Sequence, residues 1–224
     1  FPGGEVEIGT DDRSEAYDNE RPAHTRHVAP FDLDRVPVTN GAFLAFIEAG
    51  GYEREEFWTP EGFAWIRDQE ITHPKYWEPG PAGWSVRTMD RVDPLPLDHP
   101  VCHVCFWEAE AYARWAGKRL PTEFEWEAAA RFDPASGRVR AFPWGDAPAT
   151  PDVANVDQLT FGTTPVDSWP DNVSPIGAYG LVGDVWEWTS SCFEAYPGYA
   201  TFPYPEYSEV FLGDEYRVLR GGSW

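Results

Sequence analysis

The chain has 224 residues, of which 42% are hydrophobic and 16% aromatic, and its 38 Asp and Glu against 17 Lys and Arg give a net charge of −21. A charge of that sign repels nucleic acid and anionic membrane surfaces, so neither is an expected partner. Three cysteines, an odd number, favour a reducing compartment over a disulfide framework, and a cytoplasmic location is expected.

The first part of the chain predicts two strands and a helix. The strands, separated by an acidic loop, are expected at Glu5–Gly9 and His27–Leu33. Thr39 is typical of a helix N-cap, and the pair Gly50-Gly51 is typical of a helix end. No hydrophobic period is sustained over residues 52–100, so an irregular segment is expected there.

Two further helices are predicted in the middle of the chain. One runs from about Phe106 to Ala116. The other follows Thr122, which with Glu125 forms a capping box, and continues through Arg131. Short strands and loops are expected afterwards, and the fold class is α+β in one domain.

Two tryptophans near the end of the chain alternate with other residues in a strand-like pattern. Trp186 and Trp188 lie in the tract GLVGDVWEWTSS, and this period of two predicts a half-buried strand. The chain stops at RVLRGGSW, where a Gly-Gly turn is followed by an aromatic residue. We therefore expect an internal piece of a longer protein.

The five histidines do not predict a metal site within these residues. His24 and His27 lie on the approach to a strand, where a spacing of three points them to opposite faces. His99 and His103 are four apart, but Pro100 between them indicates an extended stretch, not a helix. Neither pair is the helical pair that a facial metal site prefers.

The Cys102-His-Val-Cys105 motif resembles half of a zinc or redox pair. No second pair accompanies it, and the third thiol, Cys192, is far away in sequence. We interpret these cysteines as small, partly apolar residues on a buried strand that enters a helix.

Several long motifs occur in a fixed order: PVTNGAFLAFIEAGGY, HPVCHVCFWEAEAYARWAGKRLPTEFEWEAAAR, FPWGD, ANVD, VGDVWEWTSS and RVLRGGSW. In content and order they resemble the formylglycine-generating-enzyme-like (sulfatase-modifying factor) domain, and the likeness spans nearly the whole chain. The resemblance implies a C-type-lectin-like α+β fold, low in regular secondary structure. Residues 1–224 are then one such domain, incomplete at its C-terminus.

Other stretches, YDNERPAH and AYPGYATFPYPEYSEVFLGDEYRVLRGGSW, are similar to the C-terminal domain of the ergothioneine-biosynthetic sulfoxide synthases. Members of that family use iron(II) and O2 to join the sulfur of γ-glutamylcysteine or cysteine to the imidazole C2 of trimethylhistidine, as a sulfoxide. Their iron is held by three histidines of a DinB-like helical bundle. The resemblance therefore implies such a domain upstream and iron(II) as cofactor.

A cluster of tyrosines lies in the Pro- and Gly-broken segment AYPGYATFPYPEY, which suits a surface loop. From the residues alone, these rings either pack on the surface or shape a pocket. In the family that the chain resembles, a tyrosine of this domain protonates or reduces the oxygen intermediate at the iron and steers it toward the sulfoxide. Motif position assigns that catalytic role to Tyr204, with Tyr199 as the runner-up, and contact with trimethylhistidine to Tyr207.

The formylglycine-generating branch also binds calcium near the tract matched here by VGDVWEW. Carried over to this sequence, the ligands of a weak calcium site are Gly183, Val185 and Glu187, with another site at Asn155 and Val156. Gly180 stands where that branch has an oxygen-bearing side chain, and losing a ligand weakens a site that needs six to eight oxygens. The alternative is a Glu187 carboxylate bonded to nearby backbone or to an arginine.

Two other functions stay open from the sequence. One is a formylglycine-generating oxidase, whose cysteine pair is expected shortly after Trp224. The other is a non-catalytic binding module on the same lectin-like fold. Histidine ligands upstream would support the synthase, and two cysteines just downstream would support the formylglycine enzyme.

Overall fold

The computed structural model describes all of residues 1–224, and its helices and strands are short. The helices are α1 (Asn40–Glu48), α2 (Pro60–Asp68), α3 (Phe106–Trp115), α4 (Glu123–Arg131) and α5 (Pro205–Ser208). The strands are β1 (Gly4–Ile8), β2 (His24–Val28), β3 (Trp77–Gly80), β4 (Gly83–Thr88), β5 (Arg91–Pro94), β6 (Phe132–Asp133), β7 (Arg138–Val139), β8 (Glu187–Phe193) and β9 (Gly213–Arg220). This mixture, joined by long loops, confirms the α+β prediction. None of the helices has the length and apolar character needed to span a bilayer.

The opening strand is confirmed to within a residue, whereas the second predicted strand is misplaced. β1 and β2 pair antiparallel, with Gly4 opposite Val28. The prediction of His27–Leu33 is wrong because β2 runs from His24 to Val28, where its partner β1 begins at Gly4. Pro30 lies just beyond β2 and has no N–H to donate to a partner strand.

The three predicted helices are confirmed, and the two for which the sequence indicates a cap, α1 and α4, begin directly after it. Thr39 accepts a hydrogen bond from Ala42 N at the start of α1. Thr122 accepts from Glu125 N at the start of α4, and the Glu125 carboxylate accepts from Thr122 N in return. These caps satisfy N–H groups that have no partner inside the helix.

The prediction of an irregular segment over residues 52–100 is wrong. The segment contains α2, whose N-cap Thr59 is followed by Pro60 at the first helical position, a start signal that the sequence analysis missed. It also contains an antiparallel three-stranded sheet in the order β3-β4-β5. These strands are four to six residues long and largely exposed, so their hydrophobic alternation is weak.

The strand predicted around the tryptophan pair is only partly confirmed. β8 starts at Glu187, so Trp188 belongs to it and Trp186 does not. Trp186 is exposed, while the Trp188 indole N–H donates to Val104 O at 3.0 Å. β8 pairs antiparallel with β9, and two register shifts interrupt this ladder.

Aromatic rings dominate the largest hydrophobic cluster, which lies between α1, α2 and α3. Phe43 and Phe46 of α1 are almost completely buried, and the Phe43 ring stacks on Tyr112 of α3 at 5.3 Å between centroids. Gly51 follows α1 where the chain passes close to the Phe46 ring. A Cβ at this position would lie 2.1 Å from a carbon of that ring, so only glycine fits.

Replacing Gly51 with alanine is expected to lower the free energy of unfolding by about 1–3 kcal/mol, because either Phe46 or the backbone must move in a filled core. Gly162 has no positive φ and open space around its Cα, so Gly162→Ala is the matched control. Urea denaturation of both variants measures the effect. Equal stability of the two would contradict the packing described for Gly51.

Candidate functional site

The tyrosine-rich segment forms the connection between β8 and β9. We call residues 194–212 the tyrosine loop. Its first tyrosine, Tyr196, is buried, and its hydroxyl donates to Glu123 Oε2 at 3.0 Å. Tyr199 is also engaged, since its hydroxyl donates to Asp18 Oδ2 at 2.9 Å. These two side chains therefore hold the loop against the domain.

The other two tyrosines of the loop face solvent as a pair. Tyr204 is 53% exposed and Tyr207 is 40% exposed. Their ring centroids are 5.9 Å apart in an edge-to-face arrangement. No protein group accepts a hydrogen bond from either hydroxyl, so both are free to contact a small molecule. Of the predicted site residues, the structure thus brings Tyr204 and Tyr207 together and places Tyr199 on the anchored side of the loop.

A third aromatic side chain, which sequence analysis missed, extends this pair. The Tyr17 ring lies 6.2 Å from that of Tyr207, although the two are 190 positions apart in sequence. Burial first, and then the neighbouring Tyr17 and Asp18, raise the pKa of the Tyr207 phenol. The Tyr207 hydroxyl therefore stays protonated to a higher pH than an unperturbed phenol does.

An open cavity of about 390 Å³ adjoins the tyrosine pair. Its lining comes from the turn after β1, the tyrosine loop and the two strands β8 and β9: Tyr17, Asn19, Phe193, Tyr207, Ser208, Phe211, Tyr216, Arg217, Val218 and Leu219. Aromatic rings beside a few polar groups are typical of small-molecule sites. We take this cavity, together with Tyr204, whose ring packs on Tyr207 of its wall, as the candidate site.

Arg217 is the cation of this cavity, and no acidic side chain pairs with it. Its Nη1 donates to Cys192 Sγ and to Asp214 O, the latter at 3.4 Å. The guanidinium also lies over the Phe106 ring, 5.0 Å from the centroid. Because no carboxylate neutralises it, Arg217 supplies positive charge to the cavity wall.

A buried ionic network lies behind the tyrosine loop. Arg220 Nη2 donates to Glu123 Oε2 at 3.1 Å, to Glu127 Oε2 at 3.0 Å and to the Tyr196 hydroxyl at 2.8 Å. Glu127 also accepts from Arg131 Nη1 at 2.6 Å. Burial raises the pKa of Glu123, although the attraction of Arg220 opposes this effect. The network joins α4, β9 and the start of the loop.

The histidines occupy five separate environments. Each faces a different neighbour: His24 Tyr196, His27 Glu5, His73 Trp84, His99 Thr163 and His103 Tyr76. Nowhere do three His, Cys, Asp or Glu side chains converge as metal ligands would. The residues of this chain therefore do not fit the three-histidine iron site that the resemblance implies.

The paired cysteines are free thiols beside α3. Cys105 is the N-cap residue of the helix, and its N–H donates to Glu108 Oε2 at 2.7 Å. Cys102 lies before the helix but not on a strand, which corrects that detail of the sequence interpretation. Burial raises the pKa of Cys102 to about 11 and that of Cys105 to about 12, so both stay protonated at neutral pH.

Two of the predicted calcium ligands, Gly183 and Asn155, contact each other. Gly183 packs against Asn155 so closely that a Cβ would lie 2.8 Å from Asn155 O. Asp184, which follows Gly183 in the chain, is a buried residue that the sequence analysis did not identify. Its carboxylate accepts hydrogen bonds from Asn155 Nδ2 at 2.8 Å and from Thr164 N at 2.7 Å. Calcium binding at Gly183, Val185, Glu187, Asn155 and Val156 stays a prediction.

Glu187 is bonded neither to backbone nor to an arginine. Its Oε2 accepts from the Trp126 indole N–H at 2.9 Å, and its Oε1 is buried without a partner. Burial raises the pKa of this carboxyl to about 7, and the Trp126 hydrogen bond only partly opposes the shift. Ionisation of this carboxyl near neutral pH therefore lowers the stability of the fold.

Glu187 is therefore expected to make the stability of the domain fall as pH rises. Its pKa is higher in the folded chain than in the unfolded one, so its contribution is complete below about pH 4 and is lost as pH rises past 7. A rise from 4.5 to about 7 corresponds to about 3 kcal/mol. Glu187→Gln should match the parent at pH 5 and exceed it at pH 8 in urea denaturation. A parent that gains stability over this interval relative to the variant would contradict this account.

A second and larger cavity, of about 470 Å³, lies elsewhere in the domain. Its walls come from residues 30–38, α3, residues 118–121 and residues 179–188, and no residue of the tyrosine loop lines it. Val185 and Glu187 are the only predicted site residues there. We place the candidate site at the smaller cavity because that is where unpaired tyrosine hydroxyls and an unpaired arginine meet.

Comparison with known proteins matches the whole chain to one family and several relatives. Residues 1–224 match the model of the sulfatase-modifying factor enzyme 1-like domain. The hercynine oxygenase of Mycolicibacterium thermoresistibile is 46% identical over 223 residues, which cover 97% of this chain and 49% of that protein. The formylglycine-generating enzyme of Streptomyces coelicolor is 36% identical over 250 residues, which cover 100% of this chain and 77% of that protein.

The fold likewise has solved counterparts. The structure of PvdO from Pseudomonas aeruginosa matches with a TM-score of 0.63 at 22% identity and covers 100% of this chain and 80% of that one. This likeness establishes the fold alone. The chain spans about half the length of the hercynine oxygenases that it matches.

Proposed function

The chain belongs to the sulfatase-modifying factor enzyme 1-like domain family, and from this premise we propose that it is the tyrosine-bearing domain of an iron(II)- and O2-dependent sulfoxide synthase acting on trimethylhistidine. The observation that carries the proposal is the 46% identity to a hercynine oxygenase over 97% of the chain, against 36% to a formylglycine-generating enzyme. Hercynine is trimethylhistidine, which gives the substrate class. The thiol is γ-glutamylcysteine or cysteine.

The proposed reaction balances without a further reductant. The thiol loses its S–H hydrogen, and the imidazole loses the hydrogen on C2. One C–S bond and one S–O bond form, and the second oxygen atom of O2 leaves as water. O2 thus accepts four electrons, all of them from the two organic substrates.

The proposed division of labour follows from what this domain contains. Its histidines do not meet, which supports placing the iron ligands in another part of the full-length protein. The hercynine oxygenase that it resembles is about twice as long as this chain. This domain supplies the wall of the active site. Arg217 and the aromatic rings of Tyr207 and Tyr17 form that wall, and the exposed Tyr204 packs on Tyr207.

Tyr204 is the proposed catalytic residue of this wall. Its hydroxyl has no protein acceptor and is exposed, so its proton is available to an oxygen atom that is being reduced. Tyr207, beside it, contacts the trimethylhistidine. Proton transfer from Tyr204 favours formation of the coupled sulfoxide over oxidation of the thiol alone.

Incubating the full-length protein with iron(II), O2, trimethylhistidine and each thiol, followed by mass spectrometry, tests the proposal. The expected product is the coupled sulfoxide. A formylglycine-generating enzyme would instead convert the cysteine of a sulfatase peptide to formylglycine. A binding module would convert neither substrate, and either of these two results would refute the proposal.

A further inference from the structure

Asp18 is a buried acid whose partners all lie in the tyrosine loop. It follows β1 in the short 3₁₀ turn Asp18–Glu20 and is 1% exposed. Its sequence neighbours in the acidic loop, such as Asp12, face solvent. A carboxylate in such a position needs partners, and no lysine or arginine pairs with it.

Three donors from the tyrosine loop satisfy this carboxylate. Ser208 Oγ donates to Oδ1 at 2.5 Å, and the Tyr199 hydroxyl and Phe202 N donate to Oδ2 at 2.9 and 3.0 Å. Burial alone would raise the pKa of Asp18, but these hydrogen bonds outweigh it and hold the pKa below its usual range. The group is therefore a carboxylate at neutral pH and accepts from all three donors.

The positions of these donors enclose the candidate catalytic residue. Phe202 precedes Tyr204 by two residues and Ser208 follows it by four, so the carboxylate holds the chain on both sides of that tyrosine. The other hydrogen bonds of residues 199–208, such as Thr201 to Glu209, stay within the loop. Asp18 is thus the point at which this part of the loop is hydrogen-bonded to the rest of the domain.

Neighbours of Asp18 reinforce the same contact. The Tyr17 ring lies against that of Tyr207, and the Arg21 guanidinium lies 5.6 Å from the centroid of the Phe202 ring. Residues 17–21 therefore form one seat for residues 199–208. Tyr204 itself touches this seat only through its neighbours, so its placement depends on them.

We propose that Asp18 is a positioning residue that seats residues 199–208 and so directs the Tyr204 hydroxyl to the reacting oxygen. This inference rests on the proposed function. A group that acts through Tyr204 governs which product forms, sulfoxide or oxidised thiol, more than it governs how tightly either substrate binds.

The first test measures products in the full-length enzyme carrying Asp18→Ala. The ratio of sulfoxide to oxidised thiol is expected to fall at least tenfold, with the KM of the thiol changed by less than threefold. Ser208→Ala removes one donor and should give a smaller fall in the same direction. Asp12→Asn, an exposed acid of the same loop, is the matched control and should leave the ratio unchanged.

A double variant separates positioning from general damage. In a Tyr204→Phe background, Asp18→Ala should leave the product ratio unchanged, because the group through which it acts is already gone. An Asp18→Ala enzyme that loses total turnover while keeping the parent ratio would overturn the inference.

The second test does not depend on activity. Hydrogen exchange of the Phe202 amide in the full-length protein should accelerate at least tenfold in Asp18→Ala and stay unchanged in Asp12→Asn. Unchanged exchange in Asp18→Ala would overturn the seating role. Faster exchange in a protein whose parent form makes no sulfoxide would contradict the proposed function and support the seating role.

Discussion

Replacing Tyr204 with phenylalanine in the full-length enzyme is expected to lower sulfoxide formation by about 100-fold or more and to raise oxidation of the thiol. A positioned proton donor contributes about 10²–10⁴ to a rate, and the substitution removes only the hydroxyl. The ring that packs on Tyr207 remains, so the shape of the wall is preserved. Both products are measured in one reaction by mass spectrometry.

A matched control tests whether the effect belongs to this hydroxyl. Tyr76 is 42% exposed and packs edge-to-face on His103, outside the tyrosine loop. Tyr76→Phe should leave both products at the parent level. Unchanged sulfoxide output from Tyr204→Phe, with no rise in thiol oxidation, would remove the catalytic assignment, and the same experiment on Tyr199→Phe would then test the runner-up.

Replacing Arg220 with leucine is expected to lower the free energy of unfolding by about 3–5 kcal/mol. Arg220 is the cation between Glu123 and Glu127, whose side chains are 6% and 3% exposed. Without it, two carboxylates face each other away from water, with Arg131 as the cation left to Glu127. Urea denaturation of the variant measures this loss.

The exposed pair Lys118–Asp34 supplies the control for this experiment. Its atoms are 2.7 Å apart, closer than those of the two Arg220 pairs, yet both side chains are about half exposed. Solvent screens such a pair, so Lys118→Met should cost no more than about 1 kcal/mol. Similar losses in the two variants would show that burial does not set the strength of the Arg220 network.

Local signals in the sequence were enough to predict three of the helices. The Thr39 and Thr122 caps act within three or four residues, and the structure shows both hydrogen bonds. The second strand was misplaced because its extent depends on the length of β1, its partner, which the hydrophobic pattern of residues 27–33 does not contain. The sheet of β3, β4 and β5 was missed because exposed strands carry little alternation.

For the candidate site, the sequence predicted the loop but not its surroundings. Tyr204 and Tyr207 can be identified from a motif that is continuous in the sequence. Asp18 and Tyr17 meet that loop across about 190 residues, and no spacing rule connects them. The same holds for Asp184, whose partners are 20 and 29 residues away. Contacts made by folding alone therefore account for most of what sequence analysis missed.

The central claim is that this domain works in an enzyme that couples a thiol to trimethylhistidine with oxygen from O2. The most direct test supplies the full-length protein with ¹⁸O-labelled O2, iron(II), trimethylhistidine and γ-glutamylcysteine or cysteine. The mass of the product is then measured by mass spectrometry. The account predicts a coupled sulfoxide that carries one heavy oxygen atom. A product without a C–S bond, or a sulfoxide whose oxygen comes from water, would contradict it.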